Sequence, residues 1–301
     1  MPSFLPADLH GIIPPVTTPF DEGGRVDLAL LERDIQYQIG TAGVHGLAVC
    51  GSTGEGHTLT TAETREISLA ALAAAAGRVP VITGIIADST RAAVERGRAV
   101  ADLGVAALQV TPVHYLFRPD DPAMVGFFRT LSEETGVPIL IYNVVPWCYL
   151  SPELLARIME EVPGVAGVKQ SAGDMKLLAD LLLLSGHRGR ILTAVDALLY
   201  PSFTLGSHGA IAAILTAAPG LCVALWNAVQ AGDQATALDL HKKLLPLWNA
   251  IFADNLPANV KYALELQGRP AGLPRAPMPY PSPQQQARIE RVLREIGLMA
   301  Q

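Results

Sequence analysis

The chain has 301 residues, of which 50% are hydrophobic and 17% charged, so a mainly disordered protein is excluded. Its 22 lysines and arginines and 28 aspartates and glutamates give a net charge of −6, which argues against nucleic acid as a partner. We expect no signal peptide and no membrane association, because no basic and apolar leader or long apolar stretch is present. Three cysteines without metal-binding spacing predict reduced thiols and a cytoplasmic location.

A short pattern recurs along the first part of the chain. A helical stretch ends at a glycine, which adopts a left-handed backbone at low cost, and a continuously apolar run follows. Such runs are typical of parallel strands that are covered on both faces. Eight strands are predicted to begin near Gly11, His45, Val79, Ala107, Val137, Val165, Arg190 and Gly209.

Amphipathic stretches between these strands predict helices at 27–41, 61–76, 89–103, 121–135 and 152–161. Eight strand–helix repeats indicate either a closed (β/α)8 barrel or a large doubly wound sheet. A dinucleotide-binding sheet would carry Gly-x-Gly-x-x-Gly after its first strand, where this chain has Pro14-Pro15-Val16-Thr17. The sequence therefore predicts an α/β fold of the TIM-barrel class.

The repeat stops near residue 230, and helices are predicted at 235–253, with Pro246 as an interruption, at 257–266 and at 283–298. We expect residues 1–230 to form the catalytic barrel and residues 231–301 to form a C-terminal helical region packed on it. Trp226 and Trp248 are interpreted as core or subunit contacts.

Lys169 ends the apolar run of the predicted sixth strand, and barrel enzymes carry their chemistry at such strand ends. A desolvated lysine loses its proton easily, and its neutral amine attacks a ketone to form a Schiff base. A lysine that only extends to solvent is the alternative. Tyr142 ends the neighbouring fifth strand, where its phenol could transfer protons or could be purely structural.

The turn Gly51-Ser52-Thr53-Gly54-Glu55 follows the predicted second strand. Its hydroxyls and successive backbone N–H groups fit a small carboxylate, although an ordinary tight turn would look the same. Glu55 is interpreted as a residue that orders the loop.

Three motifs together resemble, in order and spacing, the dihydrodipicolinate synthase / N-acetylneuraminate lyase family: Gly51-Ser52-Thr53-Gly54-Glu55, Tyr142-Asn143 with Pro146, and Gly167-Val168-Lys169. The resemblance extends over essentially the whole chain. It implies a class I, Schiff-base-forming aldolase that uses no metal or other cofactor. One substrate would be pyruvate or a related 2-oxo acid, and the other would be an aldehyde. The protein would form a homo-oligomer, usually a tetramer in this family.

The resemblance also implies residue roles. Lys169 would form the Schiff base, Tyr142 would shuttle protons, and Thr53 would relay protons to Tyr142. Ser52 and Thr53 would hold the substrate carboxylate, and Ile211 would line the pocket through its backbone. A residue near His114 or Tyr115 would reach the site of a neighbouring subunit. The other candidates for substrate binding are Asp196 and Trp147.

Two departures from the family pattern bear on the substrate. No arginine follows the Tyr142-Asn143 pair, where dihydrodipicolinate synthases place one for a second carboxylate. Asp196 is followed by Ala197 and Leu198, where neuraminate lyases place acidic residues. The sequence therefore predicts that neither activity that names the family belongs to this chain.

The leading interpretation is a lyase that forms or cleaves a carbon–carbon bond through a lysine-bound enamine. Two alternatives stay open: a dehydratase or deaminase of a 2-oxo (sugar) acid that uses the same imine, and a non-catalytic sensor that binds a 2-oxo acid. Apolar residues at the predicted entrance suggest an aldehyde with an apolar or aromatic side; they are Val113, Phe117, Trp147 and Cys148.

Overall fold

The computed structural model describes residues 4–299, and its sheet contains eight strands. They are β1 (Gly11–Ile12), β2 (Leu47–Val49), β3 (Val81–Ile85), β4 (Ala107–Val110), β5 (Ile139–Asn143), β6 (Val165–Gln170), β7 (Arg190–Thr193) and β8 (Gly209–Ala210). Every pair of neighbours is parallel, in the order β1-β8-β7-β6-β5-β4-β3-β2. The predicted strands are confirmed, with starts that differ by at most two residues.

The two edges of this sheet meet. The His45 N–H donates to the Ile12 carbonyl at 2.8 Å, and the Ala48 N–H donates to the Pro14 carbonyl at 2.9 Å. The Val16 N–H returns a hydrogen bond to the Ala48 carbonyl at 2.9 Å. These bonds join the segment that follows β1 to β2, and the fold is TIM-barrel-like.

Helices alternate with the strands along the chain. They are α1 (Leu28–Gly40), α2 (Thr61–Ala75), α3 (Thr90–Ala101), α4 (Asp121–Thr135), α5 (Pro152–Glu161), α6 (Met175–Ser185) and α7 (Leu199–Thr204). Their ends follow local chemistry. Thr60 and Glu63 form a reciprocal capping box at the start of α2, and Gly136 ends α4 with a φ of 64°.

The inside of the barrel is filled below the carboxyl ends of the strands by a small apolar cluster: Leu9, Ile13, Ala48, Ile82, Ala106, Ala107, Leu140, Leu192 and Ile211. Side chains two residues apart on a strand share a face, so Tyr142 lies above Leu140 on the inner face of β5. The apolar layer therefore supports the residues at the carboxyl end of the barrel.

The C-terminal part of the chain is helical, with α8 (Ala213–Ala217), α9 (Pro219–Gln230), α10 (Gln234–Ile251), α11 (Leu256–Glu265) and α12 (Pro283–Glu295). Pro246 lies inside α10 without ending it, so the predicted interruption is absent. α10 packs against α9 and α12, and α11 packs against α8.

Two further predictions concern the environment of the protein. Within residues 4–299, no helix is both long and apolar enough to cross a membrane. Cys50, Cys148 and Cys222 are free and buried.

Candidate active site

Lys169 and Tyr142 lie side by side on neighbouring strands. They are paired in the β5–β6 register, so both side chains are on the inner face of the barrel. The Lys169 Nζ atom lies 3.7 Å from the centre of the Tyr142 ring. Both residues are buried, with 3% and 5% of their surface exposed.

Burial lowers the pKa of Lys169 to about 7, because the charged ammonium loses its hydration. The charge of Asp196 opposes this shift. Burial likewise raises the pKa of Asp196 to about 6. Two contacts lower this pKa: the Ile214 N–H, which donates to Asp196 Oδ1 at 2.8 Å, and the charge of Lys169. Asp196 comes from the loop after β7, so the fold supplies the carboxylate that is absent near Lys169 in the sequence.

The phenol of Tyr142 is a hydrogen-bond donor at neutral pH. Burial raises its pKa to about 12. Its O–H donates to Ser52 Oγ at 3.2 Å. The resemblance implied a relay through Thr53, but in the described chain the phenol is hydrogen-bonded to Ser52 and not to Thr53.

The turn after β2 presents unused backbone donors. Within residues 4–299, the N–H groups of Ser52, Thr53 and Gly54 donate no hydrogen bond. Cys50 and Glu55, on either side of them, have φ angles of 57° and 54°, which are costly for residues other than glycine. The turn is compact at Gly56, where an added Cβ would lie 1.9 Å from the Cys50 carbonyl oxygen. This arrangement of donors can bind an anion.

Glu55 holds the turn in this strained shape. Its side chain is completely buried, and Oε1 lies 2.6 Å from Nζ of Lys261, which is also buried. Oε2 accepts the Arg275 N–H at 2.8 Å. Lys261 Nζ also donates to the Leu273 carbonyl at 2.7 Å. The interpretation of Glu55 as an ordering residue agrees with these contacts.

A cavity of about 660 Å³ lies at the carboxyl end of the barrel. Six predicted site residues line it: Ser52, Thr53, Tyr142, Lys169, Asp196 and Ile211. The N–H of Ile211 donates to the Thr193 carbonyl. Ser171 also lines the cavity, and its buried Oγ has no hydrogen-bond partner in residues 4–299.

Three predicted site residues lie outside the lining of this cavity: His114, Tyr115 and Trp147. His114 Nδ1 is 2.9 Å from the Pro112 carbonyl oxygen. The Trp147 Nε1–H donates to the carbonyls of His114 and Tyr115 at 2.6 and 3.0 Å. Tyr115 and Trp147 are each 68% exposed. The loops after β4 and β5 thus form a surface cluster of their own, and the predicted apolar entrance around Phe117 and Trp147 does not line the cavity.

The C-terminal region also contributes residues to the cavity that were not predicted from the sequence. They are Trp248, Phe252, Asp254, Leu256, Pro257 and Met278. His57, two residues after Glu55, also lines the cavity and was not predicted to do so. Trp248, interpreted as a core or subunit contact, packs against the main apolar core and also lines the cavity. Trp248 and Phe252 are four residues apart, which places their side chains on one face where the chain leaves α10. This spacing was the sequence signal that could have identified the two residues as a pair.

Metal-ligating side chains do not cluster in the part of the chain that the structure describes: residues 4–299 contain no group of three or more His, Cys, Asp or Glu side chains that could hold an ion. The site described above consists of a lysine, a phenol, a carboxyl group and backbone donors.

Comparison with known proteins places this geometry in a family. The model of the dihydrodipicolinate synthetase family matches residues 8–296. The chain belongs to this family. The 4-hydroxy-tetrahydrodipicolinate synthase of Methanopyrus kandleri is 33% identical over 294 residues, which cover 97% of each chain.

YagE, a prophage protein of this family from E. coli K12 solved in complex with pyruvate, is 26% identical, with a TM-score of 0.91, and the match covers 96% of this chain and 99% of YagE. A monomeric dihydrodipicolinate synthase variant is 27% identical with a TM-score of 0.93, over 98% of this chain and all of the variant. Membership makes this protein an enzyme of the lyase class, of the class I aldolase type. The family resemblance drawn from the three motifs is confirmed.

Proposed function

We propose that this protein is a Schiff-base lyase that acts on pyruvate or another 2-oxo acid and forms or cleaves a carbon–carbon bond through an enamine on Lys169. The observation that carries the proposal is the buried Lys169 amine, whose pKa of about 7 leaves much of it neutral and nucleophilic at neutral pH. The pyruvate complex of YagE, a relative with the same fold, supports a 2-oxo acid as ligand.

The surrounding groups match the parts of a 2-oxo acid. The free N–H groups of Ser52 and Thr53 and their hydroxyls would bind the carboxylate, which directs the C2 carbonyl toward Lys169. The phenol of Tyr142, beside Lys169 Nζ, would donate and accept the protons that the carbonyl oxygen requires. Asp196 and Ile211 would complete the lining around the reacting carbons.

The reaction would begin with attack of Lys169 Nζ on the C2 carbonyl carbon, and loss of water from the carbinolamine would give an iminium. Loss of a C3 proton would convert the iminium into an enamine. The C3 atom would then attack an aldehyde carbon, whose oxygen takes up a proton. Hydrolysis of the new iminium would release the product and free Lys169, and cleavage would follow the same steps in reverse.

Borohydride reduction tests this proposal. Protein incubated with pyruvate and borohydride should gain the mass of one reduced adduct, and peptide mapping should locate the adduct on Lys169. Lys169→Arg should give no adduct and no turnover. Absence of an adduct with every 2-oxo acid tested would favour the non-catalytic sensor.

The same imine would serve a dehydratase or deaminase, so product analysis is needed to separate these reactions. A lyase requires an aldehyde to consume pyruvate, or releases an aldehyde and pyruvate on cleavage. A dehydratase or deaminase releases water or ammonia from the 2-oxo acid alone. Appearance of ammonia or a dehydrated product without an aldehyde would therefore contradict the aldol reaction.

The lining of the cavity also bears on the second substrate. Among residues 4–299 that line it, Lys169 and His57 are the basic side chains, and no arginine is present. A second carboxylate would therefore lack a bidentate guanidinium partner. We propose that the acceptor is an aldehyde without a second carboxylate, in line with the predicted departure from both activities that name the family.

We also propose that the protein forms a homo-oligomer through an apolar surface patch, defined here as Tyr115, Leu116, Phe117 and Trp147. Their exposed fractions are 68%, 70%, 84% and 68%. A contiguous apolar patch of this kind on an isolated chain is typical of a protein interface. One relative is a monomeric variant, so the oligomeric state must be measured for each member of the family.

A further inference from the structure

The cavity extends well beyond the groups that would bind a 2-oxo acid. Its volume of about 660 Å³ lies within the range of about 300–1,000 Å³ that is typical of sites for larger organic ligands. Lys169, Tyr142 and the Ser52–Thr53 turn account for a three-carbon acid. The remaining lining must therefore contact the part of the substrate beyond C3.

That remaining lining is largely apolar and aromatic. Trp248, in the last turn of α10, and Phe252, just after it, have ring centres 5.0 Å apart with 33° between the ring planes. Phe252 is 62% exposed and lines the cavity, so part of its ring is accessible to a ligand. Leu198 and Val144 line the same cavity from the loops after β7 and β5.

Polar partners are few in this part of the cavity. Apart from Ser52, Thr53, Tyr142, Lys169 and Asp196, the polar side chains among the lining residues of 4–299 are His57, Ser171 and Asp254. A polyhydroxylated chain would bury hydroxyls against Trp248 and Phe252 without partners, which disfavours its binding. An aromatic ring makes favourable offset or edge contacts with such side chains.

We infer that the second substrate is an aldehyde with a flat apolar group, of the aromatic aldehyde class, and that this group packs against Trp248 and Phe252. The inference rests on the proposed Schiff-base function. The bond formed joins C3 of the lysine-bound enamine to the aldehyde carbon. The aldehyde oxygen gains the proton, water hydrolyses the iminium, and no oxidant or reductant is needed.

Steady-state kinetics with pyruvate and either benzaldehyde or glyceraldehyde test the inference. The wild-type protein should show a kcat/KM for benzaldehyde at least about 10-fold higher than for glyceraldehyde. Trp248→Leu and Phe252→Leu, which keep an apolar side chain but remove the ring, should each lower that preference by roughly 10-fold. Phe117→Leu is the matched control, because it makes the same change at an exposed phenylalanine outside the cavity, and it should keep the wild-type preference.

Borohydride trapping of pyruvate is measured on the same preparations, because its failure would reject the Schiff-base function and not the aromatic site alone. With trapping intact, a preference for glyceraldehyde in the wild-type protein would overturn the inference. It would also be overturned if Trp248→Leu and Phe252→Leu lowered kcat/KM equally for both aldehydes, since a merely structural role predicts a uniform loss.

Discussion

Glu55 and Lys261 form a fully buried ion pair, with 2.6 Å between Oε1 and Nζ, although 206 positions separate them in the sequence. Glu55 belongs to the turn that carries Ser52 and Thr53, and Lys261 belongs to α11. The pair thus connects the proposed carboxylate-binding turn to the C-terminal helices. Because Glu55 has a left-handed backbone, this connection also stabilises a strained conformation.

Replacing Lys261 with methionine should destabilise the protein by about 3–5 kcal/mol, because the Glu55 carboxylate would stay buried without its partner. Urea unfolding measures this loss. Lys176→Met is the control: Lys176 pairs with Asp180 on the surface, where solvent screens the pair and its loss should change stability little. Equal losses in the two variants would contradict the assigned role of the Glu55–Lys261 pair.

Lys169→Met should have the opposite effect on stability. Folding holds the pKa of Lys169 at about 7, below its ordinary value of 10.5, so burial of this amine costs free energy at neutral pH. Each pKa unit corresponds to about 1.4 kcal/mol, and we expect Lys169→Met to stabilise the protein by on the order of 4 kcal/mol at pH 7.

The pH dependence of unfolding checks the cause of this effect. Between about pH 7 and 10.5 the unfolded chain binds more protons at Lys169 than the folded chain does, so the stability of the wild-type protein should rise with pH in this window. That rise should be absent from Lys169→Met. A parallel pH profile in the two proteins would exclude Lys169 as its source.

The rate of imine formation should increase as the pH rises through about 7, because only the neutral Lys169 amine attacks a carbonyl. Asp196→Asn should move this increase to lower pH, since the Asp196 charge holds the pKa of Lys169 up. Asparagine keeps an oxygen for the Ile214 N–H, so the local structure is preserved. The measurement is single-turnover imine formation with pyruvate across pH 5–9, and an unchanged midpoint would argue against coupling of the two groups.

Tyr142→Phe should lower kcat by about 10²–10⁴-fold, because it removes the phenol proton but keeps the ring beside Lys169 Nζ. Ser52→Ala removes the hydrogen-bond partner of the phenol and a candidate carboxylate contact, so it should mainly raise the KM for the 2-oxo acid. Steady-state kinetics separate the two effects. A Tyr142→Phe variant with near wild-type kcat would remove Tyr142 from proton transfer.

Phe117→Asp should weaken self-association, because it introduces a charge at the most exposed residue of the apolar surface patch. Sedimentation velocity at several protein concentrations measures the assembly. Phe117→Leu, which keeps the patch apolar, should associate like the wild-type protein. A wild-type protein that stays monomeric at all concentrations would disprove the proposed interface.

The strands and most helices followed from local pattern. Apolar runs bounded by glycine identified the sheet, and consecutive strands had to bring Tyr142 beside Lys169. Glu55 could be interpreted as an ordering residue, but Lys261 could not be identified as its partner because the contact crosses most of the chain. Trp248 packs against the apolar core as predicted, but its second role in lining the cavity could not be foreseen, since the path of α10 over the barrel is set by tertiary packing.

The ion-pair partner of Glu55 and the ring pair above the cavity both lie in the last seventy or so residues of the chain. A trimmed barrel without this segment would lose a support of the turn as well as a wall of the cavity. Grafting the corresponding segment from another family member should therefore redirect which aldehyde is accepted, provided that the graft retains a lysine to meet Glu55.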